Sequence, residues 1–157
     1  MMHFEDVELD VPHRFGRYEV TREEVVEFAS RYDPQPFHLD DEAAAATHFG
    51  RLSASGWHTC AMTMRMLVDD MRERGVASLG SPGIDELRWR RPVFPGDTLG
   101  CESVTLSKRR SRSRPEIGLT RGRIRVLNQD GETVLEMLAN SMIAVRDPSA
   151  PIEEPEP

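Results

Sequence analysis

Apolar residues recur every three or four positions in the first half of the chain and every other position in much of the second. The first helical register is "VTREEVVEFASRY", where Val25, Val26, Phe28, Ala29 and Tyr32 share a face. Thr21 followed by Glu24 reads as a capping box at its start. The helix must stop before Pro34, because the residue ahead of a proline avoids helical angles. A second, short helix is predicted in "DDEAAAATHFG", capped by Asp40 or Asp41 and released at Gly50. The third is longer, from about Ala54 to Arg74, with Gly75 as its stop. Trp57, Cys60, Ala61, Met62, Met64, Met66, Leu67 and Val68 make its first half apolar on most sides, which predicts a buried helix.

Beyond Gly75 the period changes to two. "GIDELRWRRPVF" reads as extended up to the turn "PGDT", followed by strands in "TLGCESVTLSKRR", "EIGLTRGRIRVLN" and "ETVLEMLANSMIAVR". "NQDG" is the hairpin turn joining the last two. Gly122 interrupts its strand and predicts a bulge or a close backbone approach. An extended N-terminal piece, three helices and a run of antiparallel strands make an α+β architecture, with a sheet wrapped around the buried helix. One domain is expected over residues 1–147, and the Pro- and Glu-rich residues 148–157 read as a disordered tail. Strand and helix do not alternate and no glycine-rich phosphate loop is present, so a dinucleotide-binding fold is excluded.

Charge narrows the partners. Twenty basic against 27 acidic residues give a net charge of -7, which disfavours nucleic acid and anionic membranes as ligands. The N-terminal residues lack the pattern of a signal peptide, and no apolar run is long enough to cross a bilayer. Two cysteines in dissimilar surroundings, Cys60 and Cys101, fit a reducing cytoplasm. Neither belongs to a Cys/His cluster, so neither a metal site nor a cofactor is expected.

Three stretches carry candidate chemistry. In "RYDPQPFHLD", Asp33 and His38 flank a loop stiffened by Pro34 and Pro36. Such a pair can take a proton from water and return it elsewhere near neutral pH, or it can merely close one helix and open the next. "SASGWHT" opens the long helix. Its unpaired N–H groups suit a carbonyl oxygen gaining charge, and Gly56 would admit that oxygen to the backbone. The alternative is plain capping by Ser53 or Ser55. Arg121, Arg123 and Arg125 alternate along one strand, as a phosphate anchor or as a solvated face. His3, His13, His48 and His58 read as structural or surface groups.

Together, "YDPQPFHLD", "FGRLSASGWHT" and "RRPVFPGDTL" resemble the MaoC-like dehydratases, the (R)-specific enoyl-CoA hydratase family of the hot dog fold, in family order over about Thr21 to Val145. The family motif, approximately Asp-x-Asn-Pro-x-His, here reads Asp33-Pro34-Gln35-Pro36-Phe37-His38. The resemblance implies a helix wrapped by an antiparallel sheet, a homodimer with active sites near the interface, and no cofactor. It implies reversible syn addition of water to a trans-2-enoyl thioester carried by CoA or an acyl-carrier protein. Asp33 and His38 correspond to the pair that holds the water, with Asp33 as base and His38 orienting it and handling the proton. Gly56 corresponds to the residue whose N–H binds the thioester oxygen. Ser55, Trp57, Arg121 and Arg123 are the expected substrate-binding residues. The chain departs from the pattern at Gln35, where asparagine is usual, at Ser55, where many relatives have histidine, and at Met64, where some hydratases carry serine. A hot dog acyl-CoA thioesterase is the rival enzyme, but "SASGWHTCAMTMRM" contains no carboxylate to attack or activate water. A non-catalytic acyl-binding subunit is the other rival, and the intact Asp33/His38 pair speaks against it.

Overall fold

The structure, a computed structural model, describes residues 1–152; the last five residues of the expected tail lie outside the described residues. Five strands form one antiparallel sheet: β1 (His13–Glu19), β2 (Ser78–Trp89), β3 (Thr98–Arg110), β4 (Ile117–Leu127) and β5 (Thr133–Ala144). Their spatial order is β1-β3-β4-β5-β2. Three helices precede β2: α1 (Arg22–Tyr32), α2 (Asp41–Ala45) and the long α3 (Gly56–Glu73). The sheet packs against α3, burying Met62 and Met66 among Leu99, Val126, Leu135 and Met137.

Each helix begins where its sequence allows a cap. Thr21 Oγ1 accepts the Glu24 N–H at 3.3 Å. The reciprocal half of the box is absent, because the Glu24 carboxylate accepts the Tyr18 hydroxyl at 2.5 Å and so ties β1 to α1. Of the two candidates for α2, Asp40 is the cap, accepting the Ala43 N–H at 2.9 Å. Ser55 caps α3. Caps of this kind are worth about 1 kcal/mol each. "PGDT" is a turn closed by its own aspartate: buried Asp97 accepts the Phe94 N–H at 2.9 Å and the Gln129 amide at 3.0 Å.

Three differences from the sequence pattern have physical causes. The long helix is buried on one side only. His58, Thr59, Met62, Thr63 and Met66 face the protein, while Trp57 (61% exposed) and Met64 (49%) face outward. One sheet can cover only one face of a helix, so an all-round apolar helix keeps a second apolar face open. β2 starts at Ser78, running through Gly80, Pro82 and Gly83, which a sequence reader takes as punctuation. It is an edge strand with register shifts around those residues, and edges and bulges tolerate proline and glycine. At Gly122 the bulge lies on the neighbouring strand, between Thr105 and Ser107, and the close approach is at Gly122 itself. A Cβ there would sit 3.1 Å from the Val104 carbonyl oxygen.

Candidate active site

The loop after α1 builds the first wall. Asp33 is the C-cap of α1, its N–H bonded to the Ala29 carbonyl at 3.0 Å. Pro34 ends the helix, and Pro36 opens a single 3-10 turn over Pro36–His38. The backbone of Gln35 stitches this loop at both ends: its N–H donates to the Asp33 carbonyl at 2.8 Å, and its carbonyl accepts from His38 N–H at 2.9 Å. The result points both side chains the same way.

His38 is buried, packed edge-on against Phe37 with ring centroids 4.5 Å apart. Its Nδ1 lies 2.7 Å from the Ser53 carbonyl oxygen. A carbonyl only accepts, so Nδ1 carries the hydrogen and the neutral ring keeps its lone pair on Nε2. That Nε2 stands 3.4 Å from Asp33 Oδ2. The other carboxylate oxygen, Oδ1, accepts the Gln35 side-chain amide at 2.7 Å. Burial works to raise the Asp33 pKa, but hydrogen bonds from Ser55 and Gln35 and the charge of His38 outweigh it and hold the carboxyl below its ordinary value. Asp33 is therefore ionised at neutral pH.

The start of α3 builds the opposite wall. The Trp57 N–H bonds the Ser55 hydroxyl at 3.3 Å, and the Thr59 N–H bonds the Ser55 carbonyl at 3.1 Å. Among the described residues the Gly56 N–H has no such partner, and it lies at the positive end of an 18-residue helix. Gly56 is required there by space: a Cβ would meet the indole of Trp89 at 2.6 Å. Trp89, the last residue of β2, donates its Nε1–H to the Gly56 carbonyl at 2.8 Å and meets Trp57 edge to face at 5.3 Å. Between these walls lies a cavity of about 510 Å³, lined by Asp33, His38, Gly56, Trp57 and Trp89 among others.

Four of the seven residues singled out from the sequence, Asp33, His38, Gly56 and Trp57, thus line one cavity. Ser55 is fully buried beside them, its hydroxyl accepting the Trp57 N–H at 3.3 Å, and it does not line the cavity. Arg121 and Arg123 lie elsewhere, exposed on β4, and neither lines the cavity. Arg121 pairs with Asp85 at 2.9 Å. In the same alternation Arg125 joins Arg14 in an ion-pair group around the buried carboxylate of Glu102. Sequence reasoning missed Trp89, His48, Phe49, Arg90, Arg91 and Val93, which also line the cavity. Trp89 precedes "RRPVFPGD" directly, and a tryptophan at the end of a polar edge strand was the available signal.

A long helix cupped by an antiparallel sheet, with an Asp/His pair facing the helix N-terminus, defines a hot dog protein of the hydratase and dehydratase kind. The chain belongs to the MaoC-like domain family, whose model matches residues 8–124. A MaoC-like dehydratase from Rhodospirillum rubrum is 38% identical, with a TM-score of 0.83 covering 94% of this chain and 99% of that one. An (R)-hydratase from A. caviae is 25% identical with a TM-score of 0.65, covering 87% of this chain and 97% of that one. The mesaconyl-CoA hydratase of Cereibacter sphaeroides is 41% identical over 88 residues, 56% of this chain. The chain spans only 24% of that relative's length.

Proposed function

We propose that the protein adds water reversibly to the double bond of a trans-2-enoyl thioester. The observation that carries this reading is the 3.4 Å gap between His38 Nε2 and Asp33 Oδ2, in one cavity with the Gly56 N–H. A lone pair facing a carboxylate is repulsive unless something donates to both. Water does so, giving one hydrogen to each and keeping its own lone pairs for the substrate.

With the thioester oxygen on the Gly56 N–H, the β-carbon becomes electrophilic and the enolate charge develops on that oxygen, at the positive helix end. The water oxygen bonds the β-carbon, the C=C π electrons move toward the thioester oxygen, and one water proton passes to the Asp33/His38 pair. Held at Nε2, that proton makes an imidazolium facing a carboxylate, a stabilised store. Collapse of the enolate takes the proton to the α-carbon from the same face, so addition is syn and the pair returns to its starting state. Dehydration is the reverse.

The first turn of α3 contains no acidic residue, which favours hydration over thioester hydrolysis. The mesaconyl-CoA hydratase relative supports CoA as the carrier and a short acyl group as a substrate to try. A homodimer accords with the exposed apolar side chains of β2 (Leu79, Ile84 and Trp89) and α3 (Trp57 and Met64), which are 45 to 61% exposed, Trp89 and Trp57 being in contact. A second copy pairing along the β2 edge would cover them.

Spectrophotometric hydration of crotonyl-CoA and longer enoyl-CoAs tests the reading, with Asp33→Asn and His38→Ala beside the wild type. Turnover by the wild type and its loss in both variants is expected. No activity on any enoyl thioester, activity untouched by both changes, or release of free thiol overturns it.

A further inference from the structure

Two arginines line the same cavity as the Asp/His pair, and the hydration chemistry uses neither. Arg90 and Arg91 follow Trp89 directly, and all three line the cavity with Asp33, His38 and Gly56. Their backbone is fixed from two sides. Both backbone N–H groups donate to the Val134 carbonyl, at 2.8 and 3.4 Å, and the carbonyl of nearby Val93 accepts the Ala54 N–H at 2.8 Å. The segment is thus tied to the sheet and to the chain just before Gly56. Each guanidinium is in turn steadied by one glutamate oxygen. Arg90 directs Nε and Nη2 to Glu136 Oε2 at 3.2 and 3.1 Å, and Arg91 Nη2 stands 3.0 Å from Glu132 Oε2. A guanidinium carries five N–H groups in a rigid fork, so these pairs leave donors on both arginines for a second anion.

We propose that Arg90 and Arg91 form an anion subsite, and that the thioester taken by this cavity carries a second carboxylate on its acyl chain. The inference rests on the thioester reading and names its substrate class. A neutral alkyl chain has nothing to offer a guanidinium, and a wholly apolar lining would serve it better. The place of the arginines separates the acyl group from the carrier as the source of the anion. Trp89 Nε1 donates to the Gly56 carbonyl at 2.8 Å, so the residue assigned to the thioester oxygen touches the arginines' immediate neighbour in the chain. Consecutive Cα atoms are about 3.8 Å apart, which keeps both arginines at that end of the cavity. The carrier's phosphates stand a whole pantetheine arm from the thioester. A carboxylate a few bonds from the thioester carbonyl matches the shorter scale, and a planar fork binds it through two parallel N–H bonds.

The test reads occupancy instead of turnover. Trp57 and Trp89 are the chain's two tryptophans and both line the cavity, so their fluorescence reports binding. The whole chain is titrated with succinyl-CoA and glutaryl-CoA, beside butyryl-CoA and pentanoyl-CoA, which end in methyl at matched length. The wild type should bind at least one dicarboxylic thioester about tenfold more tightly than its methyl-ended match, as one charge-assisted hydrogen bond gives. Arg90→Gln and Arg91→Gln should each lower that ratio, and the double variant should bring it near one. Arg90→Lys/Arg91→Lys should keep part of it, since the charge stays and the fork is lost. A ratio near one in the wild type, or a ratio unmoved in the double glutamine variant, overturns the subsite. If that variant weakens both members of a pair alike and leaves the matching acyl-pantetheines unaffected, the arginines serve the carrier's phosphates and the proposal also falls. Ion pairing as their sole role would lower the melting temperature and leave the ratio in place. Failure to hydrate crotonyl-CoA with the ratio intact overturns the hydratase reading and leaves the subsite standing.

Discussion

The molecule holds two His/Asp pairs, on opposite ends of α3, and they are built to opposite ends. At the helix N-terminus, His38 Nε2 stands 3.4 Å from Asp33 Oδ2. Toward the C-terminus, His13 Nε2 lies 2.7 Å from Asp70 Oδ1, a closed hydrogen bond with no room for a third partner. Asp70 also takes Arg74 at 3.4 Å, and the ring of His13 stacks on Phe15 at 5.2 Å. That pair fastens strand β1 to the helix. The open pair has its imidazole pinned from behind by the Ser53 carbonyl, its carboxylate held by the Gln35 amide, and Gly56 at the start of α3 lining the same cavity. Residue types alone do not separate a tether from a pair proposed to hold water; the gap between them and what surrounds it support that proposal.

The sharpest way to break the comparison is to change one carboxylate in each pair. Asp33→Asn should lower kcat on an enoyl-CoA by about 10² or more, the usual worth of a positioned acid–base group, with little change in melting temperature. Asp70→Asn should do the reverse. It should leave turnover within twofold and cost about 1 kcal/mol, or about 2–4 °C, by loosening β1. Swapped outcomes would mean the two pairs had been assigned the wrong way round.

Gly56→Ala should come next in size. The Cβ has no room beneath Trp89, at 2.6 Å, so the helix start must shift away from the indole. Losing an oxyanion donor costs about 10² in kcat, so steady-state kinetics should show a kcat defect exceeding any KM defect.

Smallest is a pH effect carried by a third histidine. His58 is buried and stacked flat on Phe28 at 4.8 Å, and burial pushes its pKa below the ordinary value despite an opposing pull from Glu24. The folded state thus prefers the neutral ring. The stability this contributes is whole above the unfolded pKa of about 6.5 and is lost as pH falls below it, toward the lower folded value. Urea midpoints should decline over that window in the wild type and less steeply in His58→Leu.

The legible part of the site was whatever local chain chemistry fixes. Pro34 had to end α1 and Asp40 could cap α2, so Asp33 and His38 had to share a short loop. The bounds of β3 could likewise be read from alternation, and the start of α3 to within two residues, about Ala54 against Gly56. What could not be read depends on tertiary contact. Nothing near Gly56 in sequence announces Trp89, which reaches it from the end of β2. The tautomer of His38 depends on a main-chain carbonyl at Ser53, whose side chain is irrelevant to it. Alternation put Arg121, Arg123 and Arg125 on one face of β4 but cannot say toward what, and the cavity lies elsewhere. The family resemblance supplied the roles proposed for Asp33, His38 and Gly56 but said nothing of Gln35, whose amide donates to Asp33.

The central claim is that one Asp/His pair both takes the proton from water and returns it to carbon. Hydration of crotonyl-CoA in D2O, followed by NMR of the 3-hydroxybutyryl product, tests it most directly. The account predicts a single deuterium at the α-carbon, on the same face as the new hydroxyl, in every product molecule formed by the wild type. A mixture of faces, or anti addition, would contradict it, because the proton would then have come from somewhere other than Asp33 and His38.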